Sequence, residues 1–198
     1  MEKRKIGSLD VSAIGLGCMG ITHASGAPMT VAEGVRVLQQ ALDYGYTLFD
    51  TAECYTGINA DGSTAYNEEV VGEALHSFRD KVVIATKCGV QHGKNCLIVD
   101  SRPETIRKSV EGSLKRLRTD YIDLYYQHRI DPQISPEEVA GTMAELIQEG
   151  KIRYWGISEV NEEYLCRAHA VCPVTAVQNR YSMMARWHEE LFPVVEEL

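Results

Sequence analysis

Short apolar runs recur along this chain, and each stops at a reactive polar side chain. Tyr46 to Phe49 stops at Asp50, and a phenol, Tyr55, follows a few residues on. Val82 to Thr86 stops at Lys87, Tyr121 to Gln127 at His128, Trp155 to Ile157 at Ser158, and Val174 to Val177 at Gln178. Runs that are apolar almost throughout, bounded by turn residues, read as strands buried on both faces, which occur in parallel sheets covered by helices. In such folds the C-terminal strand ends share one face, and ligands bind there. A chain that places a reactive group at the end of strand after strand builds one site from many loops.

The segments between the runs read as helices. Thr30 and Glu33 form a capping box ahead of Val31, Val35, Leu38 and Leu42 on one face, and Gly45 ends that helix. After Asp50 a polar loop, Thr51 to Tyr66, leads to a helix from Asn67 with Val70, Val71, Ala74 and Leu75 inward. Ser101 and Glu104 read as a second capping box before a helix carrying Ile106, Val110, Leu114 and Leu117. Ser135, Pro136 and Glu138 open a helix striped by Val139, Met143, Leu146 and Ile147 and stopped at Gly150. A short helix from Asn161 carries Leu165 and Ala168, and a last one begins near Arg186. At the N-terminus, Lys5-Ile6, a turn over Gly7 to Asp10, and Val11 to Ile14 read as a hairpin; the first main strand runs from about Ser12 to Leu16 and enters Gly17-Cys18-Met19-Gly20.

Alternating strands and helices close either as an open doubly wound sheet or as an eight-stranded barrel. Gly15, Gly17 and Gly20 match a dinucleotide fingerprint only if a glycine inside the strand is counted, and Ile21 to Met29 does not read as a helix. Polar groups at nearly every strand end favour the barrel. The 198 residues are enough for one domain, residues 1–198, with a large core. A formal charge of −8 argues against nucleic-acid binding. No apolar run reaches the ~20 residues that span a bilayer, and no signal peptide is expected. Six cysteines without paired metal-ligand spacing suggest free thiols in a reducing cytoplasm and no metal site.

Taken singly, an Asp, Lys or His at a strand end reads as a structural partner. Together, Asp50, Tyr55, Lys87 and His128 are what reduction of a carbonyl needs. Hydride attack on C=O leaves negative charge on oxygen, so a proton donor must stand there. A phenol is neutral at pH 7 and can donate; a neighbouring Lys87 ammonium would favour phenolate and lower its pKa from ~10. Asp50 would pair with that buried ammonium, and His128 would hydrogen-bond and orient the carbonyl oxygen.

The segments Phe49 to Gly57, Ile84 to Lys87, Tyr125 to Asp131 and Glu149 to Glu159 resemble the aldo-keto reductase superfamily, and the resemblance extends over the whole chain. It implies a (β/α)8 TIM-barrel fold, here incomplete with about six of eight βα units after an N-terminal β-hairpin, and NADPH-dependent reduction of a small-molecule carbonyl substrate. It implies catalytic roles for Asp50, Tyr55, Lys87 and His128, with Tyr55 as general acid. Carboxamide binding by the cofactor would fall to Ser158 and Gln178. Glu159 stands where the family has Asn, and an ionised carboxylate cannot donate to a carboxamide oxygen. Gly17 and Met19, at the end of the first strand, are further cofactor-side candidates. The family's seventh and eighth strands, which bring an aromatic and phosphate-binding groups, have no counterpart after Leu198. The expectation is a truncated form, weakly active or inactive, with a homo-oligomer through the open barrel edges as one way to protect them. The competing readings are a non-catalytic cofactor-sensing or partner-binding subunit and a metal-dependent hydrolase using Asp50 and His128; a lone strand-end His suits the second poorly. Cys54 and Cys88, beside Tyr55 and Lys87, read as small buried packing residues or as a redox switch.

Overall fold

The computed structural model describes every residue except Ser25 and Asn95. In chain order the strands are β1 (Lys3–Ile6), β2 (Leu9–Ser12), β3 (Leu16–Gly17), β4 (Leu48–Asp50), β5 (Thr56–Ile58), β6 (Thr64–Tyr66), β7 (Val83–Cys88), β8 (Val90–His92), β9 (Leu97–Val99), β10 (Ile122–Gln127), β11 (Ile152–Ser158) and β12 (Ala176–Gln178). The α-helices are α1 (Val31–Asp43), α2 (Asn67–Leu75), α3 (Pro103–Leu117), α4 (Pro136–Gln148), α5 (Glu162–Val171) and α6 (Phe192–Glu197).

Six strands pair side by side, all parallel, in the order β3, β4, β7, β10, β11, β12. Helices return the chain between them, so the six strands form an incomplete barrel of the (β/α)8 type, open between β12 and β3. The β1–β2 hairpin packs Ile6, Leu9 and Val11 against Leu48 and Val83. The polar loop after β4 carries a hairpin of its own, β5–β6, and the segment after β7 carries another, β8–β9.

Alternation along the strands sorts inner from outer residues. Phe49, Ile84, Tyr125, Trp155 and Ile157 face the helices in the main apolar core. Ala85, Leu124, Tyr126 and Ala176 form a second, inner cluster with Leu48 and Tyr154 at its margin. Two residues further on, each inner position becomes a strand-end polar group: Leu48 leads to Asp50, Ala85 to Lys87, Tyr126 to His128, Gly156 to Ser158 and Ala176 to Gln178. Gly156 is required inside: a Cβ there would stand 2.5 Å from both the Ala176 carbonyl oxygen and the Tyr126 ring.

Buried ion pairs lock the layers. Glu68, 1% exposed, accepts from Thr86 Oγ1 at 2.6 Å and Arg116 Nε at 2.7 Å, joining α2, β7 and α3. At the opposite end of the sheet Asp123 accepts from the Ile84 amide and pairs with Arg79 and Arg153, whose guanidinium groups sandwich the Tyr121 ring at 4.0 and 3.9 Å.

Several local expectations need correction. Ser101 is not an N-cap: its hydroxyl accepts from Gln127 Nε2 and its amide donates to Asp131, so α3 begins after Arg102, with Pro103 at its first position. Ser135 does cap α4, accepting from the Glu138 amide. Val31 is exposed, and α1 instead buries Gly34, Leu38 and Ala41; a Cβ on Gly34 would come within 2.6 Å of Val70 on α2. Ser12 closes the hairpin, tied through its hydroxyl to the Thr47 amide, and the first barrel strand starts only at Leu16. The last helix begins at Phe192 rather than near Arg186, because Pro193 fits only in a first helical turn. Among the described residues no helix is long and apolar enough to cross a membrane.

Candidate active site

The inner-face alternation carries Asp50, Lys87 and His128 to the C-terminal rim, and the turn after β4 brings Tyr55 to them. That turn is held by Tyr55 N–H donating to Ala52 O, and by the Glu53 amide donating to Lys87 O. The Glu53 side chain accepts from the Gly89 amide at 2.9 Å, so Glu53 holds the end of β7 on either side of Cys88, directly after Lys87.

Lys87 is 1% exposed. Its ammonium donates to Asp50 Oδ1 at 2.5 Å and Thr51 O at 2.8 Å, and reaches Tyr55 Oη at 3.4 Å. The Tyr55 ring meets His128 edge to face, with centroids 5.8 Å apart. His128 is buried, its amide donating to Cys88 O and its Nδ1 lying 3.4 Å from Cys54 Sγ.

The electrostatics differ from the sequence expectation at Tyr55. Burial raises the phenol; the Lys87 ammonium pulls it down and Asp50 pushes it up, leaving it above its ordinary value. The sequence predicts a lowered phenol because it shows the ammonium and not the desolvation. Burial, with Lys87 and Arg129 adding to it, lowers His128 to about 3, so the ring is neutral near pH 7 and one nitrogen donates while the other accepts. Burial pushes the Cys54 thiol up to about 12 and raises Cys88 further. Both stay protonated, which removes the thiolate that a redox role needs.

Tyr55 and His128 open on a pocket of about 160 Å³ whose other walls include Met19, His23, Val90, His92, Leu97 and Arg129. Of these walls only Met19 is among the residues that the sequence singles out; His23, His92 and Arg129 are not. His23 hydrogen-bonds Thr56 O, stacks beside the Tyr55 ring at 6.0 Å and meets the tilted His92 ring at 4.7 Å, so the loop after β3 and the β8–β9 hairpin meet over the phenol. No pattern in the sequence ties those loops together. Among the described residues no cluster of three His, Cys, Asp or Glu side chains could hold a metal ion.

The cofactor-side candidates divide. Ser158 and Gln178 are register partners at the ends of β11 and β12. Ser158 Oγ accepts from Arg129 Nη1, leaving its proton uncommitted. Gln178 Nε2 donates to Asp50 Oδ2 at 2.9 Å, while its Oε1 accepts nothing among the described residues. Gly17 lies beside Asp50 with open space where a Cβ would be, and Met19 lines the pocket. Glu159 is engaged elsewhere, in a left-handed conformation at φ 55°. Its carboxylate accepts from the Arg180 amide at 2.7 Å and from His188 Nε2 at 3.2 Å. Burial would raise this carboxyl, but those hydrogen bonds outweigh it and hold it below its ordinary value. Tyr181, next in the chain to Arg180, packs on Phe192 and donates to Glu189.

This arrangement can deliver one proton from a phenol and one hydrogen bond from a neutral imidazole to a single oxygen atom. A sequence profile described as the Aldo/keto reductase family matches residues 13–198. A curated protein of Glycine max, "Probable aldo-keto reductase 1", is 43% identical over 192 residues, which is 96% of this chain and 54% of that protein. The chain thus spans about half the length of that curated relative. Among solved structures, the holo form of aldo-keto reductase AKR11C1 from Bacillus halodurans superposes with a TM-score of 0.85 at 33% identity, covering 100% of this chain and 63% of that one. An aldo/keto reductase from Klebsiella pneumoniae in complex with NADP and acetate gives a TM-score of 0.76 at 33% identity, covering 97% and 62%.

Proposed function

This chain belongs to the aldo/keto reductase family, and we propose that it reduces aldehyde or ketone carbonyls to alcohols with NADPH as hydride source and Tyr55 as general acid. The observation that supports this most is the convergence of Asp50, Lys87, Tyr55 and His128 from separate segments on one pocket.

In this reading the carbonyl oxygen sits between Tyr55 Oη and His128. Tyr55 gives its proton to the oxygen as negative charge develops there. Lys87 lowers the cost of the phenolate left behind, and Asp50 holds Lys87 in place. His128, neutral and buried, donates a hydrogen bond to the same oxygen and fixes its direction. Met19, Val90 and Leu97 give the pocket apolar lining, which helps to exclude water.

Reduced nicotinamide, when bound, supplies the hydride. The residues that would hold its carboxamide are Ser158, through its free hydroxyl proton, and Gln178, through its open Oε1. Glu159, with its carboxylate already engaged, is better read as a staple between the β11 end and the Arg180–His188 segment. The bound NADP of the Klebsiella pneumoniae relative favours NADP. Among the described residues β3 and β12 each pair on one side only, which would suit association with a second copy; size-exclusion chromatography with light scattering would detect it.

The test is loss of NADPH absorbance with 4-nitrobenzaldehyde as substrate. Turnover that disappears in Tyr55→Phe supports the proposal. Turnover that survives in Tyr55→Phe sinks the assigned acid. Absence of turnover in the native chain, despite NADPH bound at saturation, favours a non-catalytic, cofactor-sensing or partner-binding role instead.

A further inference from the structure

We propose that Cys54 is a positioning residue: its thiol donates to His128 Nδ1 and so keeps the imidazole proton on Nε2, the nitrogen left for the pocket. For catalysis this rests on the reading given under Proposed function; the tautomer itself does not.

The contact is direct, with Sγ 3.4 Å from Nδ1 and both side chains buried. It can be written with either atom as donor, and the chemistry separates the two. A neutral imidazole has one strong acceptor and one donor, whereas a thiol offers a proton and a weakly accepting sulfur. S–H to N uses each atom in its better role. The alternative would put an N–H on sulfur and leave the S–H without a partner. Among the described residues Nδ1 has no other hydrogen-bond partner. Burial keeps both groups in the states this requires, a protonated thiol and a neutral ring.

The bond one ring nitrogen makes sets which nitrogen carries the proton. With Nδ1 accepting from Cys54, Nε2 is protonated. Nε2 makes no hydrogen bond among the described residues, and His128, 7% exposed, lines the pocket with Tyr55. A carbonyl oxygen there would meet two donors, the phenol and Nε2–H. With the proton on Nδ1 it would face a nitrogen lone pair. Cys54 directly precedes Tyr55, so the turn that delivers the acid also orients the hydrogen-bond donor. The Cys54 carbonyl, accepting from the Thr56 amide at 2.9 Å, holds that turn closed.

The measurement is 15N NMR of the full chain with labelled histidines at neutral pH, His128 being assigned by its loss in His128→Asn. In the native chain Nε2 should give the shift of a protonated ring nitrogen and Nδ1 that of an unprotonated one. Cys54→Val fills similar space without a donor, and should move both shifts toward the average of two exchanging tautomers. Cys54→Ser restores a donor and should return them. A native proton on Nδ1, or Cys54→Val shifts identical to native, would overturn the proposal. In the NADPH assay Cys54→Val should lower kcat roughly ten-fold with little change in KM, and Cys54→Ser should recover most of it. An undiminished kcat in Cys54→Val would overturn the catalytic consequence. A native chain that binds NADPH without turning over would count against the proposed function, while the shifts still decide the tautomer.

Discussion

Gln178 Nε2 donates to Asp50 Oδ2 at 2.9 Å, bridging the mouth of the curled sheet over three intervening strands. The other Asp50 oxygen receives Lys87, so one carboxylate ties β4 to both β7 and β12. Removing the amide should loosen the open side of the barrel and the proposed nicotinamide site together. Gln178→Ala is expected to cost about 1–3 kcal/mol, the scale of a hydrogen bond to a charged acceptor. Gln178→Glu should cost more, because it sets a second carboxylate against Asp50. Urea midpoints measure both; a Gln178→Glu as stable as Gln178→Ala would show that the bridge carries little weight.

The phenol at Tyr55 must be protonated to act as an acid, and burial holds it above its ordinary value despite Lys87. Turnover in the direction of reduction should therefore be level through neutral pH and fall only as pH rises beyond ~10. Tyr55→Phe should lower kcat by on the order of 10²–10⁴, with KM little affected. Lys87→Met removes the charge that pulls the phenol down. Its residual activity should be lower, and its alkaline fall should come at higher pH than in the native chain. Rate profiles against pH for both variants check the direction of each change.

His128 makes stability depend on acid. In the unfolded chain its ring binds a proton near pH 6.5, but in the fold it does so only near about 3. Between those values the unfolded state holds more protons, so stability falls as pH falls. The contribution of the neutral ring is fully present above pH ~6.5 and is lost progressively toward pH ~3, amounting to on the order of a few kcal/mol. His128→Asn lacks this titration. Its urea midpoint should change less between pH 7 and pH 4 than that of the native chain, whatever its absolute stability.

The strand-end pattern is readable in the sequence because it is local: an apolar run, a period of two, and a polar residue at the end decide which face Asp50, Lys87 and His128 occupy. The likeness to the aldo-keto reductases adds the roles proposed for them. What stays hidden is set by pairs distant in the chain. Ser101 looks like a helix cap until Gln127 and Asp131 claim its hydroxyl and amide. Cys54 looks like filler until His128, far along the chain, arrives beside its sulfur. Glu159 looks like a weak cofactor ligand until Arg180 and His188 occupy its carboxylate. The raised phenol at Tyr55 belongs with these, because desolvation is a property of the folded neighbourhood and no motif records it.

Gly156 tests whether the inner face of the barrel has the spacing on which all of the strand-end geometry depends. A methyl group there would lie 2.5 Å from the Ala176 carbonyl oxygen and 2.5 Å from the Tyr126 ring. Tyr126 is almost fully buried between β7 and β11, and the carbonyl belongs to β12, so neither neighbour can turn aside. Gly156→Ala must therefore push β12 outward, costing about 1–3 kcal/mol from overpacking. The displacement would also carry Gln178 away from Asp50, since both strands reach the rim only two residues later. Loss of stability should consequently come with weaker NADPH binding in the same variant. A control at Gly141, where a Cβ meets nothing within 4 Å, should do neither. Urea unfolding and NADPH fluorescence titration of the two variants give the comparison; a Gly156→Ala as stable as the native chain would mean that Tyr126 does not fill the barrel as described.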